Sequence, residues 1–149
     1  MGVFGGAAPV AYDDTPGFFP HRPSRNSIVR TMAPGEADSL GAVFFRSVHH
    51  AAARAYSEVE RNAWAPAAPS GDGWRARLEG QETVVAEVDG RLRGFMSLSL
   101  QPGYFDLAFV EKGVQGQGVS DALYLVLESR ARAGRVARLH SDASHLARP

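Results

Sequence analysis

Between Asp106 and Leu127 the chain passes through a short apolar stretch, Asp106-Leu107-Ala108-Phe109-Val110, then a glycine-rich turn, then an amphipathic segment. That order reads as strand, loop and helix. Glycines in the turn let backbone N–H groups approach a ligand, and the positive end of the helix dipole favours negative charge at the same place. The stretch therefore predicts an anion cradle, and the rest of the chain has to supply the sheet that holds it.

The residues upstream supply one. Thr83 to Val88 is β-rich, Asp89-Gly90 is a strong short hairpin signal, and Arg91 to Leu100 alternates Leu92, Gly94, Met96, Leu98 and Leu100 against Arg91, Arg93, Ser97 and Ser99. After the turn at Gln101-Pro102-Gly103, Tyr104 to Val110 makes the third strand of a meander. Further upstream, Ile28 to Met32 is a short strand. Leu40, Val43, Phe44, Ser47, Val48, Ala51, Ala52 and Ala55 then recur at helical spacing, which predicts a helix over about 35–55. Ser57-Glu58-Val59-Glu60 matches a capping box, placing a second helix to about Trp64. Residues 65–73 read as a loop, and Trp74 to Gln81 as a further helical turn. The last helix is expected from about Gly118 to Ala133, with Gly134 at its C-cap, and Arg135 to Ser141 as a final strand parallel to its predecessor. The order β-α-α-β-β-β-α-β is that of an α+β domain with a mixed, mainly antiparallel sheet, spanning residues 28–149. Residues 1–27, rich in Gly and Pro and without periodicity, read as a disordered leader.

Composition narrows the function. The chain of 149 residues carries 16 basic and 16 acidic residues. That balance argues against nucleic acid as a partner. With no cysteine there is no disulfide framework, thiolate zinc site or Cys nucleophile, which fits a cytoplasmic location. No apolar run reaches the roughly 18–20 residues of a membrane span, and no signal peptide is evident.

The loop itself, Gln115-Gly116-Gln117-Gly118-Val119-Ser120, lacks the Lys-Ser/Thr of a P-loop and the three glycines of a dinucleotide fingerprint. With the strand before it, it resembles the acyl-CoA-binding motif of the GNAT superfamily, the acyl-CoA-dependent N-acyltransferases. That motif is Gln/Arg-x-x-Gly-x-Gly/Ala. Gln115 and Gly118 match it, and Ser120 is a small-residue departure. The resemblance extends from Ile28 to the end, and Tyr56 and Ala63-Trp64-Ala65-Pro66 resemble a bacterial branch of small-molecule or uncharacterised acetyltransferases. It implies that N–H groups of Gln115, Gly116, Gln117, Gly118, Val119 and Ser120 hold the pyrophosphate of acetyl-CoA. It also implies that Phe109 and Val110 pair with the pantetheine arm, and that a Val110 N–H faces the acetyl oxygen. An amine, on a small molecule or a peptide, then attacks directly, without metal or covalent intermediate.

A base is needed for that attack. Asp106 is the first candidate, because apolar neighbours on its strand favour a raised pKa; the alternative is a solvent-facing strand residue. Glu58 and His49 follow, from the helices that roof the acceptor pocket in such folds. His49 and His50 lie about 100° apart on a helix and so do not chelate one metal. Phe44, Tyr56 and Trp64 read as core, with pocket lining the alternative, and the arginines at 75, 91, 93, 130, 132, 135 and 138 as solvated.

Family members continue beyond the strand equivalent to 135–141 with a helix and two strands, which commonly supply a tyrosine that protonates the CoA thiolate. Ser144 to Pro149 resembles the lead-in to that helix. Three expectations follow: a shortened chain, a natural fragment, or a homodimer that completes the sheet. A degenerate protein that binds CoA or self-associates without turnover is the competing functional class.

Overall fold

In the computed structural model, residues 26–141 are described; the expected leader and the Ser144–Pro149 segment fall outside them, apart from Asn26 and Ser27. Four strands, β1 (Ser27–Thr31), β2 (Glu82–Val88), β3 (Arg91–Ser99) and β4 (Tyr104–Val110), form one antiparallel sheet in the order β1-β2-β3-β4. The β2–β3 turn is the expected one: Asp89 and Gly90 both take positive φ, 53° and 77°, as a type I′ hairpin requires. α1 (Ala37–Arg46), α2 (Glu58–Trp64) and α3 (Gly71–Glu79) precede the meander, and α4 (Val119–Ala133) follows it.

The sheet is covered on both faces. On one side Val119, Leu123, Leu127 and Ala131 of α4 pack on Val84, Met96, Leu98, Phe105, Ala108 and Val110. On the other, Leu40, Val43 and Phe44 of α1 and Trp74 and Leu78 of α3 pack on Val85, Phe95, Leu107 and Phe109. Phe44 lies edge-on to Phe109 at 4.6 Å and to Trp74 at 5.9 Å. Each such fully buried side chain stabilises the fold by about 1.5–3 kcal/mol. Phe44 is thus core and lines no acceptor pocket. The indole of Trp74 donates to the Ala37 carbonyl at 2.6 Å and fastens α3 to the start of α1.

Three expectations change. The first helix is α-helical only to Arg46; Ser47–Ala51 is a π-helix, where the widened turn carries both adjacent histidines. Secondly, residues 135–141 make no full strand: they join β4 through one parallel bridge, Tyr104↔His140, with Phe105 N–H donating to His140 O (2.9 Å) and His140 N–H to Gly103 O (3.0 Å). The parallel direction is as expected, and the length is not. Gly134 caps α4 as expected, its N–H donating to Arg130 O, and the left-handed conformation falls on the next residue, Arg135 (φ 56°).

The third change concerns alternation. Two β-bulges interrupt the meander. On β3, Arg93 is the extra residue between Ala86↔Gly94 and Glu87↔Leu92; on β4, Asp106 is the extra residue between Ser97↔Leu107 and Leu98↔Phe105. A bulge puts two consecutive residues against one and shifts the phase of everything beyond it. Leu92 therefore packs on the α1/α3 side while Met96 and Leu98 face α4. Ser97, expected on a polar face, is fully buried.

Candidate active site

The site is built at the edge of β4 opposite β3, where, among the described residues, only His140 pairs with the strand. Glu111 N–H donates to Arg93 O at 2.9 Å, toward β3, whereas Phe105 N–H points the opposite way, to His140. These residues are six apart, so a regular strand would turn them alike; the bulge at Asp106 accounts for the reversal. Beyond it the alternation turns Ala108 and Val110 outward, away from β3. The Val110 carbonyl, on that outward side, accepts from Gln115 Nε2 at 3.0 Å. In a strand the N–H and C=O of one residue share a side, so the Val110 N–H also faces away from β3, toward the edge that no described residue pairs beyond His140.

Past Val110 the chain makes a 3-10 turn at Lys112–Val114 and enters α4 through Gln115, Gly116, Gln117 and Gly118. Gly116 (φ 77°) and Gly118 (φ 81°) occupy the left-handed region, which an L side chain enters at a cost of about 1–2 kcal/mol. This chain reversal aims consecutive N–H groups outward. The backbone N–H groups of Gly116 to Asp121 make no hydrogen bond to a described residue; the first to do so is Ala122, to Gly118 O at 3.0 Å. Such donors at the positive end of a helix of 15 residues are chemically suited to receive an anion. The helix starts close to the sheet because Gly94 lies beneath it: a Cβ there would sit 3.2 Å from Phe109 O and 3.5 Å from a Val119 methyl.

Asp106 does not have the environment expected of it. Its side chain turns to the α3 side, where Arg77 donates Nε to Oδ2 (2.7 Å) and an Nη to Oδ1 (2.8 Å), and Gln81 Nε2 donates to Oδ2 (2.9 Å). Burial alone would push its carboxyl up. The hydrogen bonds from Arg77 and Gln81 and the charge of Arg77 outweigh that, and hold it below the ordinary value. The expected raised pKa is thus corrected: apolar neighbours were visible in sequence, and the guanidinium contributed by a helix 29 positions away was not. Solvent exposure, the alternative, is also excluded, since the residue is buried.

His49 lies in the π-helical segment with its ring 4.3 Å from that of Phe45. Its Nε2 sits 2.7 Å from the Ala65 carbonyl; a carbonyl only accepts, so Nε2 carries hydrogen and Nδ1 is left as the nitrogen able to take a proton. Glu58 is exposed in the first turn of α2. No hydrogen bond or ion pair joins Asp106, His49 and Glu58 to one another among the described residues. Nor do these residues include a cluster of three or more His, Asp or Glu suited to a metal. The rings of Tyr56 and Trp64 meet edge-on at 5.7 Å.

Glu111 is a residue that sequence reasoning passed over. It is buried between two arginines: Arg46 Nε donates to Oε1 and Arg93 Nε to Oε2, each at 2.5 Å. Arg93 is thereby no member of a solvated face, and neither is Arg130, which reaches Glu82 (3.0 Å) and Thr31 (2.6 Å). The available signal was a lone acid directly after an apolar strand.

A model of the GNAT acetyltransferase domain matches residues 52–149. The uncharacterised N-acetyltransferase YafP of Escherichia coli (strain K12) is 32% identical over 98 residues, 66% of this chain; the chain spans only 63% of that relative's length. A crystal structure of a GCN5-related N-acetyltransferase from Rhodopseudomonas palustris is 34% identical, with a TM-score of 0.67 over 74% of this chain and 68% of its own. PaiA N-acetyltransferase from Thermoplasma acidophilum, solved with coenzyme A, shares the fold at 16% identity, with a TM-score of 0.58 over 74% of each chain. No helix among the described residues is long and apolar enough to cross a membrane. The chain belongs to the GNAT acetyltransferase family.

Proposed function

We propose that this protein transfers an acetyl group from acetyl-CoA to a primary amine by direct attack. The observation that carries the reading is the run of unpaired N–H groups from Gly116 to Asp121 beside the outward-facing Val110 N–H. The first would take the pyrophosphate, with Gln115, Gly116, Gln117, Gly118, Val119 and Ser120 lining it. The second would donate to the thioester oxygen as negative charge develops there. Phe109 and Val110 would lie along the pantetheine arm, in the manner of an added strand. The amine nitrogen bonds to the carbonyl carbon, the C–S bond breaks, and the nitrogen gives up a proton while the departing thiolate takes one up, leaving a neutral amide and free CoA thiol. The ammonium form of the acceptor first loses a proton, for which we assign His49 Nδ1; Glu58 is the other candidate, and Asp106, held by Arg77, is not. The fit is to backbone donors throughout, so the reading requires no metal.

A second reading, coenzyme binding without turnover, is favoured by one observation: both carboxylates flanking Ala108–Val110, Asp106 and Glu111, are engaged by arginines. Release of free thiol from acetyl-CoA across a panel of amines, with calorimetric binding of CoA, separates the two. Gly118→Glu tests the shared premise. Glu there would strain a left-handed position (φ 81°) and add negative charge at the proposed phosphate site, and CoA affinity should fall by more than about 100-fold. Unaltered affinity in a folded variant would reject the site.

A further inference from the structure

We propose that Glu111 is a positioning residue that couples the anion loop to the π-helical segment, so that coenzyme bound at the loop orders the acceptor side; the proposal rests on the coenzyme site assigned above. Every polar group of Glu111 is used. Its carboxylate accepts from Arg46 and Arg93, its N–H donates to Arg93 O, and its carbonyl accepts from Val114 N–H at 3.1 Å, which shapes the 3-10 turn leading to the loop. Arg46 is the last residue of α1, and the π-helix begins at the next position. The π-helical segment also packs on the 3-10 turn, and His49 within it grips Ala65 at the end of α2. One buried carboxylate thus connects the entrance of the loop, the bulge of β3 and the helical layer carrying His49. A single π-helical turn at the end of an α-helix is a rare element that recurs at functional sites.

The link can be cut on the helical side alone. Arg46→Met keeps the aliphatic stem and leaves the Glu111–Arg93 pair intact, whereas Glu111→Gln loosens both sides. Amide hydrogen exchange is followed with and without CoA. In the unaltered protein, CoA should slow exchange both at residues 112–122 and at 47–51. In Arg46→Met the loop should still be protected while the effect at 47–51 is lost, with CoA affinity changed by less than about fivefold. In Glu111→Gln, affinity itself should fall by about tenfold or more. Protection confined to the loop in the unaltered protein, or persisting at 47–51 in Arg46→Met, overturns the coupling while leaving the coenzyme site standing. Absence of CoA binding to the unaltered protein overturns the site itself, and this proposal with it.

Discussion

Replacing Asp106 with Asn separates a base from a brace. Asp106 accepts three hydrogen bonds, two of them from the Arg77 guanidinium. Hydrogen bonds to a charged group contribute about 1.5–3 kcal/mol each, and breaking a buried ion pair costs about 3–5 kcal/mol. Two features lower that figure. The Arg77 side chain is 31% exposed against 12% for Asp106, so it regains water, and Asn retains one accepting oxygen. We therefore expect a loss of about 2 kcal/mol at pH 7, or about 4–8 °C in Tm for a chain of this size. The pH dependence has a definite sign. The folded-state pKa is lowered, so the contribution of the ionised carboxylate is complete above its unfolded value of about 4 and is lost as pH falls through the folded one. The gap between the two proteins in urea unfolding should be constant from pH 6 to 8 and close below about pH 4. Thiol release, measured where both are folded, should keep its acid limb. A normal unfolding midpoint together with a kcat reduced at least about 100-fold and no acid limb would refute the assignment and restore Asp106 as the base.

Two further outcomes are expected. His49→Gln keeps a donor for the Ala65 carbonyl but cannot take up a proton, so the fold should survive while kcat falls at least about 100-fold and the acid limb of the pH–rate profile disappears; an unchanged profile moves the role to Glu58. Ser57→Ala removes one half of the capping box that opens α2, in which Glu60 N–H donates to Ser57 Oγ at 3.1 Å. Because α2 buries no residue, the cost of about 1 kcal/mol should appear as faster amide exchange in α2, with little change in global unfolding.

What sequence made legible here is whatever depends on local chemistry. The Asp89-Gly90 hairpin, the Ser57–Glu60 capping box and the limits of β4 all follow from residues within a few positions of one another, and all three are found. The glycine loop belongs with them: its left-handed backbone is a property of Gly116 and Gly118 themselves. The partners of charged residues were not legible. Nothing near Asp106 in the chain announces Arg77, and nothing near Glu111 announces Arg46, 65 positions away. Strict alternation then misplaced Arg93, because one extra residue in a strand is invisible to a pattern of period two. Likewise 135–141 has a strand's composition, while its pairing to β4 reaches only His140.

The two bulges are where these misreadings meet, and they also organise the candidate site. Each presents a charged side chain to a partner on another element: Asp106 to Arg77 of α3, and Arg93 to Glu111 at the head of the loop. The bulge at Asp106 has a consequence beyond its own ion pair. Phe105 must turn its N–H outward to meet His140, and Glu111 must turn its N–H inward to meet Arg93. A regular β4 cannot satisfy both, since residues an even number apart point alike. Were the strand regular and still bonded to His140, the Val110 N–H would be spent inside the sheet on β3. The extra residue turns the Val110 N–H away from β3, beside the glycine loop, where the reaction proposed here requires a donor. The Asp106–Arg77 pair, whose guanidinium the sequence did not announce, sits at that extra residue and ties the bulge to α3.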